Sequence, residues 1–143
     1  AAKICSYAQG MNLIKEAARQ EKWSVDLGAC ARIWRGGCII RAKFLDRITA
    51  AYKRNPDLPT LLFDDEFARE VNERQPAWRR IVSLGVATGV PLSGFSAALS
   101  YFDAFRHERL PANLTQAQRD FFGAHTFERV DKAGSFHSEW GTQ

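Results

Sequence analysis

The sequence lacks any apolar run long enough to cross a membrane. No continuous run of apolar residues among its 143 residues approaches the ~20 residues that a bilayer-spanning helix needs. The first residues also lack the basic, apolar and small-residue regions of a secretory signal peptide. These absences predict a soluble cytoplasmic protein that is not exported and does not work at a membrane.

Cysteine is scarce, and the three present are Cys5, Cys30 and Cys38. An odd number, without a C-x-x-C pair or a nearby pair of histidines, indicates neither a disulfide framework nor a zinc site. Reduced thiols and no bound metal are therefore expected. The chain also lacks a glycine-rich phosphate loop, a G-x-G-x-x-G after a strand and a Ser-His-Asp pattern, so no nucleotide cradle or catalytic triad is predicted.

Strand patterns are missing too, since no alternation of β-branched residues continues beyond three or four positions. Apolar residues instead recur at three- and four-residue steps, which predicts an all-α fold of about six or seven helices. One helical domain is expected over residues 1–125, starting mid-helix because Ala1 to Lys3 carry no cap. Residues 126–143 are expected to form an irregular tail whose isolated aromatics dock on a partner subunit.

Local signals predict where individual helices begin and end. The adjacent glycines Gly36 and Gly37 are expected to interrupt the second helix. Pro76 is expected to separate a helix that ends near Arg74 from one that ends near Gly89. Side-chain caps at helix starts are expected at Ser24 or Asp26, at Asp64 or Asp65, and at Ser93.

Charge is nearly balanced, with 20 Lys and Arg against 16 Asp and Glu. Basic residues cluster around Trp34, which would suit a nucleic acid, but a solvated helix face paired with Asp46 or Glu66 explains them as well. The paired face is favoured because the whole chain lacks the strong basic excess of a backbone binder, so no nucleic-acid partner is expected. The clustered residues are Arg32, Arg35, Arg41, Lys43 and Arg47.

One stretch, from Thr115 to His125, combines a short helix with two side chains suited to an anion. Thr115 with Gln118 resembles a capping box, and Gly123 is a plausible helix end. On an unbroken helix Arg119 and His125 would project about 120° apart, but a break at Gly123 frees His125 to turn towards Arg119. A guanidinium and an imidazole would then suit a phosphorylated ligand. The alternative is that both cations merely complement the helix dipole and cap carbonyls.

Four stretches, in order along the chain, carry a resemblance to a known family. They are I-C-S-Y-A-Q-G at Ile4 to Gly10, W-R-G-G-C-I-I-R at Trp34 to Arg41, A-L-S-Y-F-D-A-F-R-H-E-R-L-P at Ala98 to Pro111, and R-D-F-F-G-A-H-T-F from Arg119. Together they resemble the decarboxylating 6-phosphogluconate dehydrogenases, over essentially the whole chain. The matching region is the C-terminal part of the helical domain, and the departures, Ala133 and Ser138, do not touch the proposed site.

The resemblance implies a homodimeric NADP-dependent enzyme of the pentose phosphate pathway that converts 6-phosphogluconate to ribulose 5-phosphate and CO2 without a metal. It implies that Arg119 and His125 bind substrate in the neighbouring subunit's active site, with the arginine on the phosphate. The family binds NADP in a Rossmann domain and takes its catalytic lysine and glutamate from upstream, so no catalytic or cofactor residue is assigned in this chain.

Two hypotheses remain at this point. In the first, the chain is a domain of the dehydrogenase, inert alone, that supplies Arg119 and His125 to a partner subunit. In the second, it is a freestanding helical interaction module that has kept the sequence of that domain without its chemistry.

Overall fold

The computed structural model describes residues 1–39 and 42–141 of the chain. Within them lie a 3₁₀ turn at Leu61–Phe63 and two antiparallel strands, β1 (Phe127–Glu128) and β2 (Ser135–Phe136). The prediction of an all-α fold is confirmed, and that of no strands is wrong for this one pair, because two-residue strands are too short to show alternation. The six helices are α1 (Ala2–Gln20), α2 (Leu27–Gly37), α3 (Phe44–Arg54), α4 (Asp65–Thr88), α5 (Ser93–Phe105) and α6 (Asn113–Gly123).

The chain divides into two compact units, Ala1–Arg106 and His107–Gln143. The first contains α1 to α5, and the second contains α6 with both strands. The sequence prediction instead drew its boundary after residue 125, which would separate α6 from the tail. No helix of the described residues is both long enough and apolar enough to cross a bilayer.

The core of the first unit is built from the apolar faces of its helices. On α3, Leu45, Ile48 and Tyr52 are buried. On α5, Leu99 and Phe102 are buried, whereas the aromatic rings of Phe95 and Phe105 are substantially exposed. The largest fully buried side chains of this unit are Phe67, Met11, Leu45, Ile48, Leu61 and Val71.

Two of the predicted helix caps are present and one is not. Asp26 accepts a hydrogen bond from the backbone N–H of Ala29 at 2.9 Å, and Asp64 accepts one from that of Glu66 at 3.2 Å. Each carboxylate satisfies an N–H that has no partner within its helix. Ser93 is not a cap, because it is already the first residue of α5 and Leu92 precedes it without a side-chain bond.

Of the two predicted helix breaks, the one at the glycine pair is present and the one at Pro76 is wrong. The second helix includes Gly36 and ends at Gly37. Pro76 lies inside a single 24-residue α4. A proline there removes one backbone hydrogen bond and costs about 3 kcal/mol, but Val71 before it and Trp78 after it are both buried. Packing on both sides of Pro76 therefore outweighs the local preference.

Candidate functional site

The candidate anion site lies on α6, the helix that carries Arg119. This helix begins at Asn113, so the predicted capping box at Thr115 is wrong. The backbone N–H of Gln116 already bonds to the carbonyl of Ala112 at 2.9 Å, which places Thr115 inside the first turn. The helix ends at Gly123, as predicted.

The Arg119 side chain is exposed, and its nearest described partner is neutral. Its Nη1 donates a hydrogen bond to Oε1 of Gln116 at 3.0 Å, one turn earlier on the helix. Within residues 1–39 and 42–141, no carboxylate forms an ion pair with Arg119. A guanidinium has five N–H donors, so most of them are open to an anion.

The chain turns sharply after α6, through residues with unusual backbone angles. Ala124 has φ 49° and Thr126 has φ 62°, both in the left-handed region. That conformation is costly for a β-branched residue and persists only where surrounding contacts enforce it. Three hydrogen bonds hold Thr126. Its N–H donates to Oδ1 of Asp120 at 3.0 Å, its carbonyl accepts from the Gln116 amide, and its hydroxyl donates to the carbonyl of His125 at 2.6 Å.

This turn brings the imidazole of His125 back over the end of α6. A Cβ atom placed on Gly123 would lie 2.9 Å from Nε2 and 3.0 Å from Cδ2 of His125. The ring therefore occupies the space that a side chain at position 123 would fill. Position 123 is four residues after Arg119, so both lie on the same face of the helix.

The structure thus puts Arg119 and His125 on one face. The helix ends at Gly123 and the turn after it carries the imidazole back, in the way expected from a break at that glycine. Both side chains are exposed, and neither is among the lining residues of two cavities in this unit, one of about 410 Å³ beside Gln116 and one of about 570 Å³ beside Gly123. Binding of one anion by both Arg119 and His125 stays a prediction.

Sequence reasoning missed Asp120, which organises the second unit. Its carboxylate is fully buried and accepts four hydrogen bonds. Besides the N–H of Thr126, the donors are Nδ1 of His137 at 2.8 Å, the N–H of Ser138 at 3.0 Å and Nε1 of Trp140 at 2.9 Å. Burial opposes ionisation of this carboxyl, but the bonds from Ser138, His137 and Trp140 outweigh it and lower its pKa to about 2.

These bonds attach the tail to α6, so the tail is not wholly dependent on another surface. Phe127 and Phe136 pair across the strands with ring centroids 6.3 Å apart, and the Trp140 ring meets Phe121 edge-on at 5.7 Å. The aromatic rings of the tail thus already have partners within their own unit, and their docking on a partner subunit stays a prediction. The sequence did contain one indication of this role of Asp120. An acidic residue in the last turn of a helix interacts unfavourably with the helix dipole and needs a compensating partner.

Comparison with known proteins assigns the chain to a family. The family model described as 6-phosphogluconate dehydrogenase, C-terminal domain, matches residues 1–140. The chain belongs to the 6-phosphogluconate dehydrogenase family. Similar proteins include the decarboxylating 6-phosphogluconate dehydrogenase 1 of Oryza sativa, 64% identical over 140 residues, and that of Spinacia oleracea, 62% identical over the same length.

A solved structure agrees with this assignment. The 6-phosphogluconate dehydrogenase of Plasmodium falciparum, described in apo form and with NADP+ or 6-phosphogluconate, superposes with a TM-score of 0.88 at 47% identity. It is matched over 97% of this chain and 30% of its own. The rice and spinach enzymes are likewise matched over 98% of this chain but 29% of their own length. The alternative of a freestanding interaction module is not favoured by these findings.

The described part of this dehydrogenase domain does not fit a dinucleotide site of the Rossmann kind. Such a site places the pyrophosphate between a parallel strand and the N-terminus of the following helix. The strands present in the described ranges are one antiparallel pair of two residues each. No contact with NADP is therefore assigned to the described residues of this chain.

Two arginines of the basic cluster are engaged in ion pairs. Arg35 lies 2.6 Å from Asp46, and Arg47 contacts Glu66 at 2.7 Å and also Glu70. The interpretation as a paired helix face is confirmed for these two arginines, and Arg41 lies outside the described residues.

Proposed function

We propose that this chain is the domain of a decarboxylating 6-phosphogluconate dehydrogenase that completes the substrate-binding site. Its substrate-binding residues are Arg119 and His125. The observation that carries the proposal is an exposed guanidinium that has no carboxylate partner within the described ranges and shares a helix face with an imidazole. Arg119 binds the phosphate through its free N–H groups in a bidentate manner. His125 adds a hydrogen bond to the same ligand.

The site requires a second protein surface. Arg119 and His125 are exposed and line neither of the two cavities found beside Gln116 and Gly123 in their own unit, so this face alone does not enclose a sugar phosphate. Ligand sites normally bury most of the ligand surface. We therefore assign the pair to the active site of a neighbouring subunit in a homodimer, with the tail at the same interface.

The proposed reaction is oxidation of 6-phosphogluconate at C3 by NADP, followed by decarboxylation and tautomerisation to ribulose 5-phosphate. NADP accepts the hydride and is held by a separate Rossmann domain. Arg119 and His125 contribute binding and orientation only, and no proton transfer is assigned to this chain. A cytoplasmic enzyme fits its three free cysteines, although similar dehydrogenases of Arabidopsis thaliana are named chloroplastic.

Arg119→Ala in the full-length enzyme tests the proposal. Loss of one charge-assisted contact is worth about 1.5–3 kcal/mol, so we expect the KM for 6-phosphogluconate to rise roughly 10- to 100-fold. The KM for NADP should stay unchanged, because the cofactor does not touch this arginine. Arg109→Ala, another exposed arginine of the same unit, is the matched control. An unchanged KM for 6-phosphogluconate in Arg119→Ala would refute the assignment.

A further inference from the structure

One amide side chain on α6 contacts both parts of the proposed substrate site. Oε1 of Gln116 accepts a hydrogen bond from Nη1 of Arg119, and Nε2 of Gln116 donates one to the carbonyl of Thr126. Thr126 directly follows His125. Gln116 therefore joins the guanidinium to the turn that carries the imidazole.

The position of Gln116 on the helix explains why it can make both contacts. Gln116, Arg119, Asp120 and Gly123 follow the spacing i, i+3, i+4, i+7, which places all four on one stripe of the helix. Gln116 is partly buried and Asp120 fully buried, whereas Arg119 is exposed. The stripe thus has buried or partly buried side chains at Asp120 and Gln116 and an exposed guanidinium at Arg119.

The turn needs these contacts because its backbone is strained. Thr126 holds a positive φ, and the peptide groups on its two sides are bound to α6 by different side chains. Asp120 accepts from its N–H, and Gln116 donates to its carbonyl. Without the bond from Gln116, Thr126 is released on one side and can relax towards ordinary angles, which moves the imidazole of His125 away from Gly123.

We propose that Gln116 is a positioning residue for substrate: it orients Arg119 and fixes the turn that carries His125, so that both face the same anion. The inference rests on the proposed function of Arg119 and His125. Gln116 itself does not touch the substrate. A neutral amide suits this role, because it accepts from the guanidinium without neutralising the charge that the phosphate requires.

The test uses the full-length enzyme with Gln116→Met, which keeps the length and helix propensity of the side chain but removes both hydrogen bonds. The matched control is Gln118→Met, an exposed glutamine on the same helix that, within residues 1–39 and 42–141, makes no side-chain hydrogen bond to Arg119 or Thr126. We expect the KM for 6-phosphogluconate to rise roughly three- to tenfold in Gln116→Met, the value of one or two hydrogen bonds. The KM for NADP should match that of the control.

A double-mutant cycle separates positioning from general destabilisation. If Gln116 acts through Arg119, the increase in KM caused by Gln116→Met should become clearly smaller in the Arg119→Ala background. A purely structural role would leave that factor unchanged, and this result would overturn the inference. So would a KM equal to that of Gln118→Met in the single variant.

Gln116→Glu provides a second variant in case the methionine is poorly tolerated. It retains an acceptor for Arg119, but it cannot donate to Thr126 and it competes with phosphate for the guanidinium. Its KM for 6-phosphogluconate should exceed that of the unmodified enzyme, and an equal or lower value would overturn the inference. If Arg119→Ala itself leaves KM unchanged, the proposed function fails; if only the Gln116 variants do, the positioning role alone fails.

Discussion

Gly123→Ala should separate the stability of α6 from substrate binding, because the two change in opposite directions. The new methyl carbon would lie 2.9 Å from Nε2 and 3.0 Å from Cδ2 of His125. Ordinary contacts between such atoms are about 3.5 Å or more, so the ring has to move by at least about half an ångström. Gly123 does not have a positive φ, so alanine is compatible with the backbone there.

The helix itself should gain stability from the substitution. Alanine is favoured over glycine by up to about 1 kcal/mol inside a helix, and by less at the last residue. The displaced imidazole should lose its hydrogen bond to substrate, which raises the KM for 6-phosphogluconate roughly three- to tenfold. Gly10→Ala in α1, where a Cβ would meet nothing within 4 Å, is the control that adds helix stability without touching the site.

Thermal unfolding of the chain and steady-state kinetics of the full-length enzyme measure the two effects. We expect an unfolding temperature that is unchanged or higher in both Gly123→Ala and Gly10→Ala. The KM for 6-phosphogluconate should increase in Gly123→Ala alone. His125→Ala serves as the reference for complete loss of the ring. If His125→Ala raises KM and Gly123→Ala does not, the imidazole does not work from the position over Gly123, and the argument is refuted.

Two further predictions concern the elements around the site. The pKa of Asp120, lowered to about 2 against about 3.9 in an unfolded chain, gives stability that is present above pH 4–5 and is lost as the pH falls towards 2. Protection of the Ser138 amide from hydrogen exchange should therefore decline over that range, and Asp120→Asn should abolish this pH dependence; protection that stays constant to pH 2 would contradict it. Pro76→Ala should raise the free energy of unfolding in guanidinium by about 1–3 kcal/mol, because Pro76 is exposed and alanine restores the missing bond to the carbonyl of Asn72. Unchanged or lower stability would show that the ring packs favourably.

Helix-forming periodicity was readable from the sequence wherever an apolar face packs inside its own unit. The buried positions Leu45, Ile48 and Tyr52 of α3 follow that rule. Predictions based on single residues had mixed outcomes, since the cap at Asp26 is present and the helix break at Pro76 is not. Pro76 was given too much weight, because a local preference of a few kcal/mol cannot be compared with packing on both sides of it until the fold is known.

The candidate site was likewise predictable in part: the sequence indicated its ligand-binding side chains but not the contacts that hold them. The sequence revealed which residues were chemically suited to an anion, and the resemblance pointed to the same two, Arg119 and His125. It did not reveal their supports, because Gln116 and Asp120 act through hydrogen bonds to backbone groups of a turn, and no pattern of side chains records those bonds. A spacing of i, i+3, i+4, i+7 along α6 was present in the sequence, but its meaning depends on what lies beside the helix.

By itself, then, the sequence determined the helical class and the two candidate ligand-binding side chains, since these depend on residue type and on periodicity along one element. The family came from the resemblance carried by four motifs. Only the tertiary structure decided that a strained turn returns His125 to the end of α6 and that a buried carboxylate at Asp120 attaches the tail there. The physical reason is that both features arise from contacts between residues far apart in the chain or from backbone angles contrary to local preference. Such contacts exist only once the polar groups of the turn and tail have found partners on the helix.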